Sequence, residues 1–280
     1  MKRLMIGISA GVLLMFSCTG KSARTADEET VIDSVADSVS LNSADSLELL
    51  ITQTPMPRAA DAMFDDFLFN FLANKNLQKE RIVFPLKMTE GSEVTKMEEK
   101  QWKMERLFMR QGYYTLLFDS DEQMSLMKDT AVSEAVVEKI QLRKGKVTGY
   151  HFLRIKGAWM LTDVTTTPMT ENINSGFLSF YKRFVTDSLF QVQSLNETVE
   201  FVGPDPDDDY RMMEGVITPE TWEAFAPKLP SKSIYNIVYG KPEADVSTKI
   251  FLLRGVANGL EMELRFKRVG SKWLLMKMST

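Results

Sequence analysis

The chain has 280 residues, of which 44% are hydrophobic, 26% charged and 10% aromatic, a composition typical of globular proteins. Its 34 Lys and Arg residues against 38 Asp and Glu give a formal charge of −4. This leaves no basic excess for binding a phosphate backbone, so we expect no nucleic-acid partner. A single Cys and a single His exclude an internal disulfide and a Cys/His zinc cluster, and no motif indicates another metal or a cofactor.

The N-terminus has the pattern of a secretory signal. Lys2 and Arg3 precede the apolar residues 4–16. At ~1.5 Å per residue this run is too short to span a hydrocarbon core of ~30 Å as a helix. The sole cysteine, Cys18, follows directly after Ser17.

This segment resembles the lipobox of bacterial lipoproteins, in which the signal is removed just before a cysteine that receives lipid. The resemblance implies that residues 1–17 are a signal peptide and that Cys18 carries acyl chains such as palmitate. Each buried methylene contributes about 0.8 kcal/mol, so the lipid anchors the chain in a membrane. Thr19, not Asp, follows the cysteine, and we therefore expect the outer membrane of a cell envelope.

Residues 18–60 are poor in aromatic residues and rich in Ser, Thr, Asp and Glu. Such a composition buries too little apolar surface to offset the entropy lost on ordering. The segment is predicted to be an acidic, flexible tether between the lipid and the folded part.

The rest of the chain repeats itself. Three phenylalanines with the helical spacing i, i+3, i+7 occur twice, at an offset of 113: Phe64, Phe67 and Phe71, then Phe177, Phe180 and Phe184. The four tryptophans form two pairs: Trp102 with Trp222, and Trp159 with Trp273. Between them, residues 139–149 match 249–259 at an offset of 110, and residues 153–156 match 264–267 at 111.

The matches predict two tandem homologous units, residues 61–168 and 169–280. Each unit opens with the phenylalanine-faced helix and closes with three strands. In the first unit these strands are predicted at 136–142, 148–156 and 159–166, joined by tight turns. A helix followed by antiparallel strands is an α+β unit.

The last hairpin of the first unit, residues 153–161, has alternating apolar residues, a Gly-Ala turn and Trp159. It resembles the last hairpin of NTF2-like, cone-shaped domains, in which a curved antiparallel sheet wraps around an N-terminal helix and leaves a cavity. The whole chain resembles a family of uncharacterised lipoproteins from Bacteroides-type bacteria, known as a domain of unknown function. The resemblance implies a fold of two NTF2-like units and an envelope location, but no catalytic residue.

Four residues are candidates for a ligand pocket. His151 shares a strand face with Leu153 and Ile155, and a cavity on that face would make it a candidate acid or base. The alternative is a core or rim histidine with one hydrogen bond. Since the matched residue in the second unit is Met262, we expect the more polar pocket in the first unit.

The aromatic residues Trp102, Tyr113 and Tyr114 are the other three candidates. They are expected either to line the pocket or, as aromatic residues usually do, to fill the core. No sequence signal distinguishes these two roles.

The sequence favours a lipid-anchored envelope protein that acts as a noncatalytic binding or scaffold module for an unknown small molecule or envelope protein. One alternative is an enzyme that uses a carboxylate or His151 as acid or base in a cone cavity. A purely structural subunit of an envelope complex is the other.

Cys18→Ser is expected to abolish labelling by palmitate and to move the protein from the detergent phase to the aqueous phase, because the thiol is the only acceptor for lipid. Ser43→Ala, in the same tether, is the matched control and should leave both properties unchanged. Continued membrane association of Cys18→Ser would contradict the lipobox interpretation.

Overall fold

Two six-stranded β-sheets with short helices packed against them form the described part of the chain. The computed structural model describes residues 61–205, 207–240 and 246–280. The predicted signal peptide, the lipid attachment at Cys18 and the predicted tether lie outside these residues. The mixed architecture confirms the α+β class that the sequence predicts.

The first half contains three helices and six strands. The helices are α1 (Phe64–Ala73), α2 (Lys75–Glu80) and α3 (Asp121–Ser125). The strands are β1 (Ile82–Glu90), β2 (Glu93–Met97), β3 (Tyr113–Phe118), β4 (Glu134–Gln141), β5 (Lys146–Ile155) and β6 (Ala158–Pro168). Short 3-10 turns occur at Glu99–Gln101, Leu107–Arg110, Leu126–Lys128 and Met169–Glu171.

The second half has the same order of strands, but its third helix precedes the third strand instead of following it. Its helices are α4 (Ser175–Phe184), α5 (Ser188–Gln193) and α6 (Trp222–Phe225). Its strands are β7 (Leu195–Asp205), β8 (Asp208–Ile217), β9 (Ile234–Tyr239), β10 (Thr248–Gly255), β11 (Glu261–Val269) and β12 (Lys272–Ser279).

The long helices α1 and α4 are held by their aromatic faces. All six repeated phenylalanines are buried: Phe64, Phe67, Phe71, Phe177, Phe180 and Phe184. Burying one such side chain contributes roughly 1.5–3 kcal/mol. The short helices that follow are capped by side chains: Asn74 accepts from the N–H of Leu77 at 3.1 Å, and Asp187 accepts from that of Phe190 at 2.9 Å.

The two sheets exchange one strand. The first has the order β2-β1-β6-β5-β4-β9 and the second β3-β10-β11-β12-β7-β8. Strand β3 of the first half therefore completes the sheet of the second half, and β9 of the second half completes the sheet of the first. Both transferred strands pair antiparallel with their new neighbours, whereas β1 with β6 and β7 with β12 are parallel.

The exchanged strands also meet each other. The hydroxyl of Thr115 in β3 accepts from the N–H of Tyr235 in β9 at 2.9 Å and donates to the carbonyl of the same residue. The N–H of Leu117 donates to Asn236 Oδ1 at 2.8 Å. Because each half supplies a strand to the other sheet, the two predicted units form a joint structure and are not independent bodies.

The paired tryptophans make matching contacts in the two halves. Trp102 Nε1 donates to Gln78 Oε1 at 3.0 Å, and Trp222 Nε1 donates to Gln191 Oε1 at 2.9 Å. The other two tryptophans are buried: Trp159 packs 4.8 Å from the Phe64 ring and Trp273 packs 5.3 Å from the Phe177 ring, measured between centroids.

The three last strands match at one constant offset of 114. Phe152 of β5 lies 5.3 Å from Phe64, and Phe266 of β11 lies 5.3 Å from Phe177. The β5–β6 and β11–β12 hairpins both turn in two residues. The offsets of 110 and 111 assigned from the sequence are therefore wrong, because alternating apolar residues resemble each other at several shifts.

The corrected offset changes which residue of the second half matches His151. At the offset of 114 the matched residue is Arg265, not Met262, and both lie just before the same irregularity in the pairing of their hairpins. The two glycines with positive φ in the preceding turns, Gly145 at 63° and Gly259 at 68°, match at this offset too.

Trp159→Ala and Trp273→Ala should each lower the free energy of unfolding by about 3–5 kcal/mol, since each leaves a cavity in a core. Urea unfolding followed by circular dichroism measures this. Val269→Ala, which changes an exposed side chain of the same β11–β12 hairpin, should stay within about 0.5 kcal/mol of the parent. If either tryptophan variant lost no more stability than Val269→Ala, the equivalent core positions of the two tryptophans would be contradicted.

Candidate functional site

His151 lies on the outer face of its sheet. Its strand neighbours on that face, Leu153 and Ile155, are 41% and 42% exposed, whereas Tyr150 and Phe152 on the other face are buried. The expectation that this face lines a cavity is therefore wrong, because the core side of β5 is the other one. The imidazole Nε2 lies 2.8 Å from the Thr165 hydroxyl.

The two predicted tyrosines belong to the cores. Tyr114 is buried, with its ring 5.1 Å from Phe108 and 5.6 Å from Phe69. Burial raises the pKa of the Tyr114 hydroxyl. Tyr113 packs at the edge of the second core. Both contacts correspond to the core-filling role that the sequence left open.

Trp102 joins a polar group inside the first half. The amide of Gln78, which accepts from Trp102, also donates to the Glu105 carbonyl at 2.7 Å. The Glu105 carboxylate accepts from the Tyr150 hydroxyl at 2.7 Å, and burial, followed by the charge of Glu105, raises the pKa of Tyr150. The members of this group satisfy one another, so it accounts for Trp102 without a ligand.

A second polar group lies where the exchanged strands meet and was not expected from the sequence. Glu138 in β4 is buried and accepts from Asn236 Nδ2 at 2.9 Å and from Asn172 Nδ2 at 2.6 Å. Burial raises the pKa of Glu138, against the effect of the two amides and of the charges on His151 and Lys249.

A buried cation is connected to the same group. Lys249 in β10 donates to Asn174 Oδ1 at 2.5 Å and forms an ion pair with Asp119. The N–H of Asn174 donates to Asn172 Oδ1 at 2.9 Å. The chain of bonds thus runs from a buried carboxylate to a buried ammonium across the junction of the halves. Isolated polar residues that are spread over strands and loops carry no sequence signal for such a network.

Two adjoining pockets lie in the second half, the larger between α4, α5 and the β11–β12 hairpin and the smaller between the start of α4, β10 and the same hairpin. The larger has a volume of about 640 Å³ and the smaller of about 260 Å³. The larger is lined by Gly176, Phe180, Arg183, Phe190, Gln193, Ser194, Arg268, Gly270, Ser271, Lys272 and Trp273. We call the pair the second-half pocket. Neither His151, Trp102, Tyr113 nor Tyr114 lines it.

The second-half pocket combines aromatic walls with positive charge. Arg183, Arg268 and Lys272 line the larger part, and none of the described lining residues carries a carboxylate. The guanidinium carbon of Arg183 lies 4.0 Å from the ring centroid of Phe190, and its Nε lies 3.3 Å from Asp187. Such a lining suits a ligand that is apolar in part and negatively charged in part.

The matching place in the first half is filled by the chain itself. The Asp61 carboxylate accepts two bonds from Arg81, both at 2.9 Å, and one from the N–H of Trp159 at 3.3 Å. Arg154 donates to the carbonyls of Asp61 and Ala62.

Substitutions at two matched positions open this place in the second half. Asn174 stands where the first half has Asp61, and its side chain bonds to Lys249. Ser194 stands where the first half has Arg81, and it lines the pocket. The matched place therefore holds a carboxylate in the first half and a pocket in the second half.

Two further findings concern metals and membranes. Within residues 61–205, 207–240 and 246–280, no three His, Cys, Asp or Glu side chains are grouped so that they would hold a metal ion. In the same part of the chain, no helix is long and apolar enough to cross a membrane.

Comparison with known proteins assigns the family. Residues 43–280 match the model of DUF4348, a domain of unknown function, and the chain belongs to this family. It is also similar to an NTF2-like protein from Bacteroides fragilis solved by crystallography, with 43% identity over 80% of this chain and 98% of that one and a TM-score of 0.72. No curated protein matches the chain. These findings confirm the NTF2-like fold and the membership in a family of unknown function that the sequence predicted.

The raised pKa of Glu138 predicts how the stability of the protein depends on pH. This pKa is raised in the folded chain, so the folded state holds its proton in a pH range where the unfolded state has lost it. The stabilisation is complete below the unfolded pKa and is lost as the pH rises through the folded pKa. In that window, Glu138→Gln should make the free energy of unfolding fall less steeply with pH, by up to about 1.4 kcal/mol per pH unit.

Urea titrations at a series of pH values measure these slopes. Glu134→Gln removes an exposed carboxyl from the same strand and is the matched control. Equal slopes for the parent and Glu138→Gln would contradict a raised pKa at Glu138.

Proposed function

We propose that this chain is a lipid-anchored protein of the cell envelope that binds a small molecule without transforming it, and that the second-half pocket is the binding site. The single observation that carries the proposal is the pocket itself. It is open in the second half at the place that Asp61 and Arg81 fill in the first.

The size and lining of the pocket support binding. About 640 Å³ lies within the range of roughly 300–1,000 Å³ found for small-molecule sites. The rings of Phe180, Phe190 and Trp273 offer apolar contact, and Gln193 and Ser194 offer hydrogen bonds. Aromatic walls with a few polar groups are typical of ligand sites.

The same lining gives no support to acid–base catalysis. A general acid or base must come within hydrogen-bond reach of the reacting atom. The described residues that line the second-half pocket include neither a carboxylate nor an imidazole, and His151 lies on the outer face of the other sheet. A binding role is therefore the better match to this site.

The anchor part of the proposal depends on Cys18 and the acidic segment after it. Lipid on Cys18 would hold the chain on the outer membrane, and residues 18–60 would keep the folded part at a distance from the lipid surface. The pocket would then sample the compartment next to that membrane.

Gly176→Met tests the pocket directly. A Cβ at Gly176 would meet no atom within 4 Å, so the larger side chain should extend into the cavity without strain. The first half has Met63 at the matched position. Protein purified from its own cells should carry a copurifying small molecule, detected by mass spectrometry of an organic extract, and Gly176→Met should lose it.

Gly215→Met is the matched control. A Cβ at Gly215 also meets no atom within 4 Å, but this glycine lies on β8 and does not line the pocket. It should carry the same molecule as the parent. Identical extracts from all three proteins would contradict binding in the second-half pocket.

A further inference from the structure

We infer that the second-half pocket binds an organic carboxylate, a molecule with one carboxylate group and an apolar body. The inference depends on the proposed function, because it names the ligand class of the same site. It is carried by the first half of the chain, where the matched place already holds a carboxylate.

The first half shows which groups bind a carboxylate at this place. Asp61 is held from two sides, by the guanidinium of Arg81 and by the main-chain N–H of Trp159. The residues matched to these two groups, Ser194 and Trp273, both line the second-half pocket. A ligand carboxylate beside Trp273 would thus occupy the position that Asp61 takes in the first half.

The charge that Arg81 supplies in the first half is supplied by other residues in the second. Arg268 matches Arg154, and the two guanidinium carbons lie 5.9 and 5.7 Å from the rings of the matched tryptophans. Two more cations have no charged counterpart: Arg183 stands where the first half has Asn70, and Lys272 stands where it has Ala158. The matched positions of the first half carry three cations as well, Arg81, Arg154 and Lys156, but Asp61 and Glu80 stand among them. None of the described residues that line the second-half pocket is acidic, so its positive charge is not balanced within the lining.

The aromatic walls define the rest of the ligand. Phe180, Phe190 and Trp273 line the larger part of the pocket, and burial of apolar surface against them contributes roughly 25 cal/mol per Å². A bare inorganic anion would leave this surface unused. A carboxylate with an aromatic or alkyl body uses both the cations and the rings.

Isothermal titration calorimetry with the purified full chain tests this. The probe is 4-phenylbutyrate, with 4-phenylbutanamide as its uncharged match and 3-phenylpropyl phosphate as the alternative anion. We expect the carboxylate to bind at least about tenfold more tightly than the amide, and to weaken as salt rises from ~0.05 to ~0.5 M while the amide does not. The phosphate should bind more weakly than the carboxylate.

Substitutions of lining residues test whether 4-phenylbutyrate binds in the second-half pocket. Arg183→Gln and Lys272→Gln should each weaken 4-phenylbutyrate by about three- to tenfold and leave 4-phenylbutanamide unchanged. Lys182→Gln removes an exposed cation from the same helix outside the lining, so it should change neither probe. Gly176→Met should prevent binding of both probes.

The outcomes separate the two proposals. Equal affinity for acid and amide, tighter binding of the phosphate, or no binding of the acid would overturn the carboxylate inference. Any of these results would leave the proposed function intact if the copurifying molecule is still lost in Gly176→Met and retained in Gly215→Met. Loss of that difference between the two glycine variants would instead overturn the proposed function.

Discussion

The exchange of β3 and β9 between the two sheets is the constraint on which the rest of the structure depends. Each half leaves its sheet one strand short, and the strand that completes it arrives from the other half with a full ladder of antiparallel pairs. Where the two strands meet, Thr115 and Tyr235 bond to each other. The buried network around Glu138 and Lys249 lies at the same junction, and Asn172 and Asn174 connect its two charges. A buried charge without its partners is costly, so this network favours the exchanged pairing over separate halves.

The two halves keep matching cores but differ at the place that forms the second-half pocket. The aromatic core positions are retained in both, from Phe64 and Phe177 to Trp159 and Trp273, because the sheets can curve around the helices only if these cores are filled. The position next to the tryptophan is not needed by the core. The first half fills it with its own Asp61, while the second half leaves it open and basic. We therefore expect the binding site in the second half, because its stability depends less on the residues at that place.

The repeated helix, the tryptophan pairs and the closing hairpins were predictable from the sequence, because they depend on local periodicity and tight turns. Of the candidates for a pocket, His151 was assigned to the wrong face by the same reasoning, and for the three aromatic residues the sequence left both roles open. The face of His151 depends on which side of β5 meets the helix, and alternation alone does not define that side. The strand exchange and the network around Glu138 depend on contacts between distant segments, for which one sequence holds no signal. The second-half pocket arises because Asn174 and Ser194 do not fill the place that their matched residues fill in the first half. The absence of a side chain leaves no motif in the sequence.

Native-state hydrogen exchange on a variant destabilised in one half tests the joint structure most directly. Phe71→Ala removes a buried ring from the first core only. If the exchanged strands join the halves, the amides of β10, β11 and β12 in the second half should lose protection by the same free energy as those of β4, β5 and β6, about 3–5 kcal/mol. Unchanged protection in β10, β11 and β12 would contradict the joint structure and show that the halves unfold independently.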